Sequence, residues 1–147
     1  MGRLRQLGVG PGTRPFPRAR RDREILVESI AMQLDSSQTY RESEVNEILK
    51  SWGRDVAPAI EVDHVTLRRF LVDWGRLERT ADGRFYRVAF PQRMTAFELE
   101  VYDLDLRAVI AEYRKAAAER REEKKRAAAA ATRSESKPKP RRRRERR

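Results

Sequence analysis

Apolar residues return at helical spacing three times before residue 75. Ile25, Leu26, Ile30 and Leu34, widened by Val27 and Met32, predict an amphipathic helix between Arg18 and Leu34. Val45, Ile48, Leu49 and Trp52 follow the i, i+3, i+4, i+7 rule and predict a second helix over Glu42–Trp52, with Gly53 as its stop. Leu67, Phe70, Leu71 and Trp74 form the stripe of a third, capped by Asp63 and ended by Gly75. Between the first two, Asp35-Ser36-Ser37 supplies turn chemistry and Thr39-Tyr40 reads as a very short strand. Residues Arg54 to Val62, with Pro58 and no clean period, read as a connecting loop. After Gly75, the segments Leu77–Thr80 and Arg84–Val88 flank Asp82-Gly83, a short-range hairpin signal.

Helix, short strand, helix, helix, hairpin is the order of a winged helix. The predicted class is α+β: a mainly helical winged helix-turn-helix over residues 18–90, with a small β-hairpin wing. Residues 1–17, with Gly8, Gly10, Pro11, Gly12, Pro15 and Pro17, read as a flexible leader. Phe97 to Val101 alternates like a strand, while Leu99, Tyr102, Leu106, Val109 and Tyr113 also fit a helical stripe; of the two, residues 91–102 are expected to be an extended docking segment. Asp103 or Asp105 then caps a helix over 103–131, through Leu106, Val109, Ile110 and Tyr113. Beyond Tyr113 alanines are its only apolar residues, which argues against a long coiled coil and for a monomer or a weak homodimer. Residues 132–147 hold no apolar side chain large enough to bury and read as a disordered basic tail.

Charge changes this picture through its location. Residues 1–17 carry three Arg and no acid, residues 18–90 carry 13 basic and 13 acidic residues, and residues 91–147 carry 18 basic and 10 acidic. The net charges are +3, 0 and +8, which sum to the chain's +11. The folded part is therefore neutral, and attraction to phosphates belongs mainly to the ends. In the tail, Lys137, Lys139, Arg141, Arg142, Arg143, Arg144, Arg146 and Arg147 are the expected non-specific nucleic-acid contacts.

On the third helix, His64, Thr66, Arg68 and Arg69, with Arg84 and Arg87 of the hairpin, are the candidate DNA-binding residues. An arginine fork bonds guanine or phosphate bidentately, and a helix of this kind enters the major groove. The competing reading pairs Arg68 with Glu61 or another acid and lets Asp63, Asp73, Glu78 and Asp82 repel phosphates. Trp52 and Trp74 fall on apolar stripes and read as core. With no cysteine and one histidine, neither a thiolate nor a histidine-cluster metal site can be assembled, and no cofactor is expected. No nucleophile and base are singled out, so no catalytic residue is named.

The string Thr39-Tyr40, Glu44-Val45-Asn46-Glu47-Ile48-Leu49, followed by DHVTLRRFLVDWGRLERTADGRFY from Asp63 to Tyr86, resembles a bacterial domain-of-unknown-function family, number two-zero-eight-seven. Its hallmark is a His ahead of a Leu-Arg-Arg-x-Leu-Val-Asp-aromatic-Gly run, then an acidic-Arg pair, a glycine turn and a Tyr. The resemblance implies a winged helix and, because some members carry the domain behind an arsenical-repressor-like DNA-binding domain, a transcriptional context. This chain departs in having no such preceding domain, in placing Arg41 where a hydroxyl residue usually caps the second helix, and in a longer loop around Ala57 to Ile60. The missing cap should cost on the order of 1 kcal/mol.

The expectation from sequence is thus a non-enzymatic, cytoplasmic, nucleic-acid-associated winged helix of the DNA-binding or transcription-regulator kind, with association to the nucleoid as one option within the cytoplasm. The tail supplies affinity and the third helix supplies selectivity. The alternative is a winged-helix module that docks a protein partner and carries a non-specific basic tail. No stretch is apolar enough to span a bilayer or to act as a signal peptide.

Overall fold

A computed structural model describes residues 2–89, 101 and 103–135. Its elements are α1 (Gly2–Val9), β1 (Arg14–Pro15), α2 (Arg20–Ala31), β2 (Thr39–Arg41), α3 (Glu42–Asp55), β3 (Ile60–Glu61), α4 (His64–Asp73), β4 (Leu77–Arg79), β5 (Phe85–Val88) and α5 (Leu106–Glu135). The expectations for residues 91–100 and for the tail residues Lys137 to Arg147 lie outside the described residues. Contacts divide the chain into two units, with the boundary after Tyr113, inside α5.

The apolar stripes face one core. Leu26, Ile30, Val45, Leu49, Leu67 and Leu71 are almost fully buried, and Leu77 and Tyr86 join them from the hairpin. Trp52 is wholly buried, as expected, and its indole N–H donates to Ser29 Oγ at 3.0 Å. That bond satisfies the donor that burial removes from water. Leu106 and Ile110, in the first turns of α5, close the same core.

The sheet is antiparallel with order β2-β5-β4. Tyr40 faces Tyr86 across β2–β5, and Arg79 faces Tyr86 across β4–β5. The hairpin turns where Asp82-Gly83 predicted, with Gly83 at φ +72°. Gly75, at φ +63°, ends α4 in the left-handed conformation that glycine adopts without a Cβ clash.

Several boundaries differ from the sequence reading. Residues 2–17 are not a loose leader: α1 buries Leu4 and Leu7 against the core, and β1 pairs in parallel with β3. Gly8, one of the glycines that suggested flexibility, instead permits close packing. A Cβ on Gly8 would sit 2.5 Å from Val56 O, and Gly8 O accepts from Ala59 N at 2.9 Å. The expected loop over Arg54–Val62 therefore contains a strand.

Gly53 does not stop α3, which runs on to Asp55. The buried Val56 and its N–H bond to Trp52 O hold the last turn. Arg41 indeed offers no acceptor at the start of α3, but Glu44 accepts from the Arg41 N–H at 2.6 Å, so half of a capping box survives. The first helix is shorter than predicted at both ends, and α5 starts at Leu106, capped by Asp105, whose carboxylate accepts from the Arg107 and Ala108 N–H groups.

Local hydrogen bonds hold several carboxyls below their ordinary range. The Thr66 hydroxyl lowers Asp63, the Arg3 guanidinium lowers Asp22, the Ser37 hydroxyl lowers Asp35, the Thr80 hydroxyl lowers Asp82, and Lys50 lowers Glu47. A folded-state pKa below the unfolded value means stability is fully present above the unfolded value and lost as pH falls through the folded one. Stability measured by urea titration should hold from pH 7 down to about pH 5 and fall steadily below about pH 4. A flat profile between pH 5 and pH 3 would contradict these bonds.

Candidate nucleic-acid interface

At about 100° per residue, the side of α4 opposite Leu67 and Leu71 is centred on Arg69. Arg69 is exposed and makes no side-chain hydrogen bond or ion pair among the described residues. Val65, Val72 and Asp73 flank it, with Val72 at 38% exposure. Phe70 turns to one flank, where its ring stacks on Phe16 at 5.0 Å and lies beneath the Arg23 guanidinium. Asp63 caps the helix by accepting from the Thr66 N–H at 2.9 Å.

Arg68 occupies the other flank and is not available as a free contact. It is bonded to Asn46, forms an ion pair with Glu42 at 3.0 Å and lies 5.8 Å from the centre of the Tyr86 ring. Its partner is Glu42 rather than Glu61. Arg79 approaches the same ring at 5.9 Å and donates to Gly83 O at 2.9 Å. Arg68, Tyr86 and Arg79 thus fasten the wing to α4 and α3, a structural use of much of the His64–Tyr86 run.

The remaining candidates separate in space. The Thr66 hydroxyl donates to Asp63 at 2.6 Å and so serves the cap. His64 is half-buried beside a groove shared with Lys50 and Arg54. Arg84 is exposed at the wing, where its N–H donates to Asp82. Arg87 pairs with Glu78 across the strands at 2.8 Å. Because successive strand residues point to opposite faces, Arg87 lies on the side of the sheet away from Tyr86 and α4. Of the six residues, Arg69 and Arg84 keep exposed side chains free of these bonds.

Sequence reasoning missed Asn46 and Glu42 as the anchor of Arg68. Their positions one turn apart on the face of α3 that meets α4 were the available signal. Trp74, which falls on an apolar stripe, packs against the core from its edge. The ring is half-buried and lines a cavity with Arg18, Arg20, Arg23, Glu24 and Asp73, between the start of α2 and the end of α4. Arg20 is held by Glu24 and Arg23 by Pro17 O there.

A helix-strand-helix-helix-hairpin order, with a three-stranded sheet that places the first strand beside the last, defines a winged helix. The model of DUF2087, described as an uncharacterised protein conserved in bacteria, matches residues 14–88. Those 75 residues are just over half of the 147, and the chain belongs to this family. Neither a curated protein nor a solved structure matches it. Among the described residues, no helix is long and apolar enough to cross a membrane.

Proposed function

We propose that this chain is a non-enzymatic, DNA-associated winged-helix protein that presents the outward face of α4 to the duplex. The observation that carries this reading is the placement of Arg69, exposed and uncommitted at the centre of that face. A guanidinium so placed can reach guanine O6 and N7 or a phosphate. Arg84 at the wing tip adds a second cation, and the net charge of +7 over residues 133–147 supplies sequence-independent affinity.

Fluorescence-anisotropy titration of a site selected from random duplex DNA tests it. Arg69→Ala should weaken binding to that site by about 1–3 kcal/mol and leave the melting temperature unchanged. Arg68→Ala should do the reverse, lowering the melting temperature with little effect on affinity while the protein stays folded. Equal affinity of wild type and Arg69→Ala would end the readout proposal.

The apolar character of the same face favours a second reading, in which α4 docks a protein. Val65 and Val72 border Arg69, and Asp73 opposes phosphate approach. That reading places all DNA affinity in the basic termini, so it too is decided by Arg69→Ala.

A further inference from the structure

The second half of α5 carries more cations than its acids can pair, and most of them on one side. A self-supporting charged helix sets Glu against Lys or Arg at i, i+4. From Arg114 to Arg126 there are seven basic and three acidic residues. At i, i+4, Glu119–Glu123, Arg120–Lys124 and Arg121–Lys125 are like-charged against Lys115–Glu119 and Glu122–Arg126 of opposite sign, while at i, i+3 Arg120–Glu123, Glu122–Lys125 and Glu123–Arg126 are of opposite sign against Glu119–Glu122 and Arg121–Lys124. Like-charge pairs at i, i+4 destabilise a helix. Among the described side chains of this half, the ion pair formed is Glu122–Lys125, at 3.0 Å.

The cause is segregation around the axis. At about 100° per residue, Arg114, Arg120, Arg121, Lys124 and Lys125 fall on one side, with the small Ala117 between them. Glu119 and Glu123 fall on the other, together with Lys115 and Arg126, and face away from Arg114 and Arg121 by nearly half a turn. Residues 119–130 are all exposed. A line of five cations, of which Lys125 is paired with an acid at its border, keeps a net positive edge that is complementary to a regularly spaced polyanion, which reduces the remaining repulsion and releases its own counterions.

We infer that the Arg114–Lys125 side of α5 is a second nucleic-acid contact, which lies along the phosphates of duplex DNA with the Glu119–Glu123 side turned to solvent. It rests on the proposed function for the identity of the partner, but uses a surface separate from α4 and reads no base sequence. Alanine at 117 keeps the stripe low enough for the flanking cations to reach phosphates on either side.

The test is a salt titration of duplex DNA binding by fluorescence anisotropy, with the full chain, Arg114→Gln/Arg121→Gln/Lys124→Gln, Glu119→Gln/Glu123→Gln, and Arg69→Ala. The triple cation variant should lower the magnitude of the log affinity–log salt slope by about 2.7, since each phosphate contact contributes about 0.9. The Glu variant should keep the wild-type slope. Glutamine preserves helix propensity, and circular dichroism at 222 nm confirms that α5 stays helical. A slope change below one in a helical triple variant overturns the inference. If that happens while Arg69→Ala weakens binding to the selected site, the α4 reading stands alone. If the slope falls as expected while Arg69→Ala binds normally, α5 binds DNA and α4 does not read it. A full chain that does not bind duplex DNA overturns both.

Discussion

Leu4→Ala should lower the free energy of unfolding by about 2–5 kcal/mol, the range for truncating a fully buried leucine to alanine. Leu4 is 0% exposed, and Leu7, one turn on, is 5% exposed in the same core. The loss combines the transfer free energy of the removed carbons with a cavity that the surroundings fill only in part. Collapse is hindered because α1 is tied at both ends, to α2 and to Ala59, and the strand after it is tied to Ala59 as well. Arg3 forms an ion pair with Asp22 of α2 at 2.6 Å, Gly8 O accepts from Ala59 N, and the Arg14 N–H donates to Ala59 O. Urea denaturation of the variant beside Gln6→Ala, an exposed position on the same helix, measures it. Equal midpoints would show that α1 is not part of the cooperative core.

Breaking the ion pair between Glu28 and Arg76 should cost about 3–5 kcal/mol. The side chains are 4% and 9% exposed and approach to 3.3 Å, joining the middle of α2 to the turn between α4 and β4. Removing one partner leaves the other charge in a low-dielectric interior without its counter-ion, and desolvation then outweighs what remains. Glu28→Leu and Arg76→Met should each lower the melting temperature sharply. The double variant should recover most of the loss, because two apolar side chains of similar volume carry no desolvation penalty. A double variant as unstable as the sum of the singles would mean that the two side chains act independently.

Both predictions concern features for which periodicity has little vocabulary. Glu28 sits inside an otherwise apolar run of α2, between Val27 and Ser29, and a helical wheel shows no reason for a buried carboxylate. Its counter-ion is 48 residues away, at Arg76. The site residues behave the same way. Arg68 and Arg69 are adjacent and chemically identical, yet one turn angle of the helix sends Arg68 to Glu42, Asn46 and Tyr86 and leaves Arg69 facing out.

The elements themselves were legible because local physics specifies them. Helical apolar stripes at Val45–Trp52 and Leu67–Leu71, the Asp63 cap, and the glycines at 75 and 83 each act within a few residues, and all lie where the sequence placed them. In β5 the structure buries Tyr86 and exposes Arg87, as alternation along a strand requires. What only the tertiary structure decided involves partners far apart along the chain. Glycine and proline in residues 2–17 are equally compatible with a loose leader and with a helix and strand packed tightly on Val56 to Glu61, and it is the surface offered by that distant segment that selects the second. Chain-local patterns state which side of an element is apolar. Long-range packing states which cations are consumed in holding the fold and which remain for a partner.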